Sequence, residues 1–312
     1  MALNPLEDNR TMEIAMLARH SPSTGPRSPD VWGFYEENTG SIQYLVADPA
    51  TKKATLIDVV QNFDPPEART GFESADEVLH FANKQGLTIE RVLDTHPHAD
   101  HLMASTYLKN KLKVPNGIGE KVLEIADLWR DLYHLPDAFD PVRDFDDLFA
   151  DGDSFTIGDL QMKVILSPGH TLGSITYVVG DAAFVHDTLM YPDMGSSRAD
   201  FPGGDAGILW DSIQTILALP PETRLFVGHD YGTDEREEIF WEATVAEHKR
   251  ANKHVRDGIS KEEFVKTRTE RDETLSLPDR MLHALQVNLR AGQLPPAEAD
   301  GHVYLKIPMN RL

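Results

Sequence analysis

Three histidines and one aspartate lie within six residues of one another, in the order His96, His98, Asp100 and His101. Imidazole and carboxylate groups at such short spacing suit a divalent transition metal of intermediate softness. A histidine-rich surface loop is the alternative interpretation, but clustered His and Asp side chains more often bind metal. Since the chain contains no cysteine, thiolate ligands, disulfides and a cysteine nucleophile are excluded.

Later in the chain, His170, Asp187 and His229 each follow an apolar run that predicts a strand. Rigid strands aim side chains at the carboxyl edge of an α/β sheet, so we predict that these residues join the first cluster in one metal site. His186 alternates with Asp187 along its predicted strand and should therefore face the other side, as a core or supporting residue. Asp58, at another predicted strand end, is expected to brace a ligand rather than to bind metal.

The pattern around these motifs predicts a mixed α+β and α/β fold. Several consecutive predicted strands have no helix between them, which favours mixed sheets covered by helices over a purely parallel sheet. Two capping boxes predict helix starts, Ser74 with Glu77 and Ser260 with Glu263. We divide the chain into a turn-rich and partly mobile N-terminal extension (1–30), a catalytic domain (31–234) and a helical C-terminal extension packed on the same domain (235–312).

The charge balance narrows the possible partners. The chain has 312 residues with 30 Lys+Arg and 51 Asp+Glu, a formal net charge of −21. This acidity disfavours nucleic acids and anionic membranes, and no run approaches the roughly 20 apolar residues of a membrane span. The first ten residues lack the apolar core of a signal peptide. We therefore expect a cytoplasmic protein, and the long C-terminal segment favours a homodimer.

Together these motifs resemble the metallo-β-lactamase superfamily, from about Gly33 to Tyr231. The resemblance implies a four-layer αββα sandwich with the metal site at one edge, here followed by the helical extension. It also implies two metal positions that Asp187 is able to bridge. One would be formed by His96, His98 and His170, and the other by Asp100, His101 and His229.

Two segments narrow the resemblance to one group of that superfamily. Arg198-Ala199-Asp200-Phe201 resembles the Arg-x-Asp-Phe segment of the glutathione persulfide dioxygenases, also called sulfur dioxygenases. His229-Asp230-Tyr231 resembles their His-Asp-Tyr, where glyoxalase II enzymes usually have His-Glu-Tyr. The tail, including Leu285-Gln286-Val287-Asn288, is similar to a bacterial branch of the group. This resemblance implies one Fe(II) per chain on His96, His170 and Asp187, with glutathione persulfide and O₂ as substrates.

The resemblance also suggests roles for the remaining site residues. Arg198 is predicted to bind a substrate carboxylate, with a loop salt bridge as the alternative. Tyr231 is predicted to contact the substrate and to hydrogen-bond near the metal, with simple packing as the alternative. Asp100 and Tyr231 are the predicted catalytic residues. A second metal site or a supporting shell is predicted for His98, Asp100, His101 and His229.

A different function class remains open at this point. All seven superfamily ligands are present, so a binuclear zinc hydrolase of the glyoxalase II, lactonase or β-lactamase type is the alternative. A metal-stabilised binding protein is disfavoured because structural metal sites tend to be closed. Two departures from the family pattern stand near the motifs. His186 occupies a position where relatives have a small residue, and Pro97 one where many have Cys.

Overall fold

The computed structural model describes residues 16–311. The strands in chain order are β1 (Leu17–Ser21), β2 (Asp30–Glu36), β3 (Ser41–Ala47), β4 (Lys53–Ile57), β5 (Val60–Asp64), β6 (Arg69–Gly71), β7 (Thr88–Leu93), β8 (Leu102–Met103), β9 (Asn116–Gly119), β10 (Asp147–Phe149), β11 (Ser154–Ile157), β12 (Leu160–Leu166), β13 (Ile175–Val179), β14 (Ala182–Phe184), β15 (Arg224–Phe226) and β16 (Glu242–Thr244). The helices are α1 (Glu73–Lys84), α2 (Ser105–Leu112), α3 (Val122–Tyr133), α4 (Pro141–Asp144), α5 (Ala206–Leu217), α6 (Val245–Ala251), α7 (Lys261–Asp272) and α8 (Met281–Asn288).

Two large mixed sheets face each other. The first has seven strands in the order β1-β2-β3-β4-β7-β9-β10, antiparallel up to β4 and parallel beyond it. The second has six strands in the order β11-β12-β13-β14-β15-β16, in which only β14 and β15 are parallel. A small sheet of β6, β5 and β8 lies next to the loop from His96 to His101, here called the metal loop. The expectation of mixed sheets is thus confirmed.

Alternation along β3 explains how the layers bury their faces. Tyr44 points into the core between the sheets, where its ring meets those of Phe184 and Phe226 at centroid distances of 5.2 and 5.6 Å. The next residue, Leu45, points into a second core beneath α1 and α2. Successive strand residues face opposite sides of a sheet, so one strand supplies both cores. With α5, α6 and α7 on the second sheet, the layers form the expected αββα sandwich.

Only one of the two predicted capping boxes exists. Ser260 accepts from the backbone N–H of Glu263, and the Glu263 carboxylate accepts from the backbone N–H of Ser260. The prediction for Ser74 is wrong, because α1 already begins at Glu73 and the Ser74 hydroxyl accepts a hydrogen bond from Gln43. A tertiary contact has replaced the local one.

The predicted boundary at residue 30 falls inside the folded domain. Within the predicted extension, β1 pairs with β2 over its whole length. The buried Arg224 guanidinium also donates to backbone carbonyls of Ser21, Pro22 and Pro29. Residues 1–15 of the predicted mobile extension lie outside the described residues. Within residues 16–311, no helix has the length and apolar character needed to cross a membrane.

Candidate metal centre

The predicted ligand segments meet at one edge of the two sheets. The loop after β7 carries His96 to His101, and the segments after β12, β14 and β15 carry His170, Asp187 and His229. Six of these seven side chains are buried, and Asp100 is half-buried. The structure therefore brings together every residue that the sequence placed at the metal centre.

His96, His170 and Asp187, here called the His96 side, are linked through one carboxylate oxygen, Asp187 Oδ2, which both rings approach. The Nε2 atoms of His96 and His170 each lie 3.6 Å from Asp187 Oδ2. Metal bonds of about 2.0–2.2 Å to a nitrogen and an oxygen are compatible with this separation. The two rings stand perpendicular to each other, with centroids 5.1 Å apart. Two imidazoles and one carboxylate on one face leave further coordination positions open for small molecules.

Hydrogen bonds select which nitrogen of each imidazole is free to bind metal. Nδ1 of His96 lies 3.1 Å from the preceding threonine hydroxyl, and Nδ1 of His170 lies 2.8 Å from the Arg198 carbonyl. Nδ1 of His101 lies 3.1 Å from the following carbonyl. Each ring can donate through Nδ1, which leaves a lone pair on Nε2. Burial lowers the pKa of His96 well below its usual value, so this ring is neutral and able to act as a ligand.

His98 lies between the two predicted metal positions. Its Nε2 is 3.0 Å from Asp58 Oδ1, so the ring donates there and keeps its lone pair on Nδ1. Burial raises the pKa of Asp58 to about 7, while hydrogen bonds from Thr95 act in the opposite direction. Asp58 therefore orients a ligand, as expected from its place at a strand end.

Asp100, His101 and His229, here called the His229 side, are arranged differently. His229 places Nε2 at 2.7 Å from Asp100 Oδ2 and Nδ1 at 2.6 Å from Asp187 Oδ1. Burial opposes a charge on His229, but Asp187 and its other negative neighbours outweigh burial and raise the pKa well above the usual value. Both ring nitrogens of His229 therefore lie within hydrogen-bond distance of carboxylate oxygens. The hydroxyl of Ser41, which the sequence did not single out, contacts His229 and Asp100 at 3.1 and 3.2 Å.

The expectation that His186 faces away from the site is wrong. Strand β14 ends at Phe184, and His186 adopts a φ of +44° at the start of a 3₁₀ turn, so strand alternation no longer applies. Its Nε2 lies 3.3 Å from Asp58 Oδ2, and its Nδ1 accepts from the Asp187 amide at 2.8 Å. A Cβ on Gly228 would lie 2.6 Å from His186 Nε2. A side chain at position 228 would therefore collide with the His186 ring.

Asn288, at the end of α8, secures the metal loop and was missed by the sequence analysis. Its amide nitrogen donates to the carbonyls of His98 and His101 at 2.7 and 2.8 Å, and its oxygen accepts from the Met103 amide at 2.8 Å. All these groups are buried, so each bond satisfies a backbone group that water does not reach. The only signal in the sequence was the resemblance of the tail around Asn288 to one branch of the family.

The Arg-x-Asp-Phe segment is held in place largely by contacts between its own residues. Arg198 forms a two-bond ion pair with Asp200, at 2.7 and 2.8 Å, and donates to the Ser276 carbonyl at 2.7 Å. Its guanidinium also lies 4.8 Å from the centre of the Phe201 ring. This geometry corresponds to the loop salt bridge that was the alternative for Arg198. Two of its five N–H donors remain free, so carboxylate binding by Arg198 stays a prediction.

The side chains of the His-Asp-Tyr segment have different surroundings. Buried Asp230 pairs with Arg236 at 2.6 and 3.0 Å and does not face the metal centre. Tyr231 is 58% exposed and stacks on His229, with ring centroids 5.8 Å apart. Its hydroxyl has no hydrogen-bond partner within residues 16–311, so it is free to meet a substrate.

A cavity of about 270 Å³ opens onto the metal centre. His170 and Asp187 of the His96 side line it together with Asp100 and His229 of the His229 side, and Tyr231 is also part of the wall. The other lining residues include apolar side chains and three arginines, namely Met190, Met194, Phe201, Leu275, Arg198, Arg268 and Arg271. Apolar walls with a few directed polar groups are typical of small-molecule sites.

The donor set fits a resident divalent transition metal. His96 Nε2, His98 Nδ1 and His101 Nε2 are all buried without a hydrogen-bond partner within residues 16–311. A buried polar atom without a partner is costly, and each of these atoms carries a lone pair directed into the cluster. Nitrogen and carboxylate donors without thiolates suit iron or zinc equally. The donors therefore establish a metal centre without selecting its metal.

Comparison with known proteins agrees with this geometry. The sequence profile of the metallo-β-lactamase superfamily matches residues 41–229, which include all seven ligand candidates. The chain belongs to this superfamily. Its members are metalloenzymes, either hydrolases or dioxygenases.

Individual relatives in the superfamily are named for two different activities, a hydrolase-like one and a persulfide dioxygenase one. A beta-lactamase hydrolase-like protein of Xylella fastidiosa is 51% identical over 92% of this chain, which spans 66% of that relative, just under two thirds. The mitochondrial persulfide dioxygenase ETHE1 of Bos taurus is 28% identical over 89% of this chain and 96% of its own length. The crystal structure of ETHE1 from Myxococcus xanthus has a TM-score of 0.67 and 29% identity, covering 84% of this chain and 98% of that one. The dioxygenase resemblance is therefore present in both sequence and structure.

Proposed function

We propose that this chain is a non-haem iron persulfide dioxygenase that converts glutathione persulfide, O₂ and water to glutathione and sulfite. The reaction balances, since the outer sulfur loses four electrons and O₂ gains four. The products are glutathione, sulfite and two protons. One Fe(II) on His96, His170 and Asp187 would supply the redox chemistry when bound, which is what a site with two His and one carboxylate supports in oxygenases. Sulfide detoxification is the proposed context.

The difference between the two sides carries this proposal. His96 and His170 direct free lone pairs at Asp187 Oδ2, whereas both nitrogens of His229 are engaged by carboxylates. This arrangement favours one metal, on the His96 side, over a pair.

The chain's own residues would bind and orient the substrate in the cavity. Met190 and Met194 line the cavity with polarizable thioether surface, which suits a sulfur-rich group. The free hydroxyl of Tyr231 can donate to a substrate atom at the metal centre. Asp100, held by His229 and Ser41, can accept a proton there by way of water.

The binuclear zinc hydrolase remains a second candidate because of one specific observation. His98 Nδ1 and His101 Nε2 are both buried without partners, and with Asp100 they place ligand atoms within 4.8 Å of one another. This set could hold a second ion. The hydrolase-like relative at 51% identity supports this candidate.

Metal content and turnover separate the two candidates. We expect protein purified anaerobically to contain about one iron per chain and to consume one O₂ per sulfite formed from glutathione persulfide. Two zinc ions per chain, with hydrolysis of S-lactoylglutathione or a chromogenic β-lactam and no O₂ uptake, would establish the hydrolase instead. Size-exclusion chromatography with light scattering tests the homodimer. Cell fractionation tests the cytoplasmic location.

A further inference from the structure

The cavity beside the metal centre contains three arginines whose charges are used differently. Arg198 is paired with Asp200 and bonded to a carbonyl. Arg268 is 2% exposed and pairs with Asp272 at 2.5 Å. Both guanidinium charges are therefore balanced by carboxylates within the fold.

Arg271 is the exception among these three. It is exposed, and its side chain has no hydrogen-bond or ion-pair partner among residues 16–311. It lies one helical turn after Arg268 on α7, so both side chains project from the same face of that helix. Arg268 anchors that face in the protein, and Arg271 presents its charge at the cavity.

An unpaired cation at this place is notable in a chain with a net charge of −21. An acidic surface repels small anions in general, so a local positive group determines where an anion can enter. A guanidinium also matches a carboxylate with two parallel hydrogen bonds, which gives direction as well as attraction. The apolar wall formed by Phe201 and Leu275 lines the same cavity and reduces competition from water.

We propose that Arg271, and not Arg198, binds a carboxylate of the substrate while the sulfur end reaches the metal centre. This inference rests on the proposed function for the nature of the substrate, a thiol-derived molecule with a remote carboxylate. Arg198 then acts as a positioning residue. Its backbone carbonyl accepts from His170 Nδ1, and its side chain locks that loop through Asp200.

Binding of glutathione to the iron-loaded protein tests this assignment directly. Titration calorimetry under argon should show Arg271→Gln binding glutathione about ten- to a hundredfold more weakly than the native protein. Lys266→Gln removes a positive charge from the exposed side of the same helix and should leave the Kd within about twofold, because distant exposed charges are screened. Arg271→Lys should recover part of the loss, since an ammonium cannot form the paired bonds.

Kinetics and a probe without free carboxylates complete the design. With glutathione persulfide, Arg271→Gln should raise KM by about the same factor and leave kcat within about threefold, because the carboxylate is remote from the reacting sulfur. Glutathione diethyl ester, whose carboxylates are blocked, should bind native protein and Arg271→Gln equally weakly. Thermal unfolding should show the same Tm for both proteins.

The alternative outcomes are distinct from failure of the proposed function. Unchanged glutathione binding in Arg271→Gln, with weakened binding in a folded Arg198→Gln, would return the carboxylate to Arg198 and overturn the assignment. Absence of glutathione binding to the native protein would overturn it as well. If the native protein hydrolyses S-lactoylglutathione and consumes no O₂, the dioxygenase proposal fails, and calorimetry still decides the role of Arg271.

Discussion

The His96 side and the His229 side use the same residue types but differ in what their ring nitrogens face. On the first, His96 and His170 donate through Nδ1 to neutral oxygens and aim free Nε2 atoms at Asp187. On the second, both nitrogens of His229 lie against carboxylate oxygens. The partners of each imidazole thus decide whether one of its nitrogens is left free to bind metal. The same set of His and Asp residues can therefore form one metal position or two, depending on which ring nitrogens are left free.

The largest expected effect comes from removing a ligand of the His96 side. Replacing His96, His170 or Asp187 with Ala should weaken iron binding by more than a hundredfold and abolish oxygen consumption. Loss of a residue that only hydrogen-bonds a metal ligand already lowers metal affinity or activity by about 10–100-fold. Metal analysis after desalting provides the measurement, and His80→Ala, an exposed helical histidine, is the matched control. Full iron occupancy in any one of the three variants would exclude that residue as a ligand.

Replacements on the His229 side should have a smaller effect. We expect Asp100→Asn, His101→Ala and His229→Gln to retain iron and to lose activity by about 10–100-fold, as for residues that orient ligands or protons. Iron content and sulfite production should therefore separate in these variants. If any of them loses iron as completely as His96→Ala, the two sides do not differ as the geometry indicates.

A third prediction concerns the support that both sides share. Asn288→Ala leaves the Met103 amide and two loop carbonyls without partners, which should lower the free energy of unfolding by about 2–3 kcal/mol. Gln286→Ala removes another buried polar group of α8 that bonds the tail and not the metal loop. Iron affinity should fall in Asn288→Ala and remain native in Gln286→Ala. Equal iron affinity in the two variants would limit Asn288 to a purely structural role.

The smallest expected effect is a dependence of stability on pH that arises from residues outside the metal centre. Burial lowers the pKa of His248 and His254 to about 4, so both rings are neutral in the folded state and titrate at higher pH when unfolded. The contribution of these two histidines to the free energy of unfolding is complete above their pKa in the unfolded chain. It is lost as the pH falls from about 6.5 towards 4. At pH 5 each ring should lower the free energy of unfolding, relative to neutral pH, by at most about 2 kcal/mol.

Urea unfolding at pH 7, 6 and 5 measures this dependence. In His254→Gln the amide oxygen can still accept from the Ser196 amide, which bonds His254 at 3.1 Å. This variant should therefore lose less stability than the native chain between pH 7 and pH 5. An identical loss in both proteins would show that His254 does not contribute, and acid destabilisation would then be attributed to His248 or to the metal centre.

The ligands were predictable because their types and spacing are local properties of the sequence. The motif from His96 to His101 and the strand-end residues His170, Asp187 and His229 could be recognised without coordinates, as could the layered fold. His186 was misjudged, since the alternation rule fails where the chain leaves the strand with a positive φ. The Ser74 capping box failed for a related reason, because the Gln43 side chain bonds that hydroxyl from another element.

The sequence by itself indicated the family, a metal site built from imidazoles and carboxylates, and the residues able to bind metal, because each depends on side-chain type and short spacing. Only the tertiary structure decided which nitrogen of each histidine is free, that Asn288 from α8 holds the metal loop, and that Arg271 and not Arg198 carries the unpaired charge. Each of these depends on contacts between residues far apart in the chain. Hydrogen bonds and ion pairs have strict limits of distance and direction, and the folded arrangement alone establishes whether they are met.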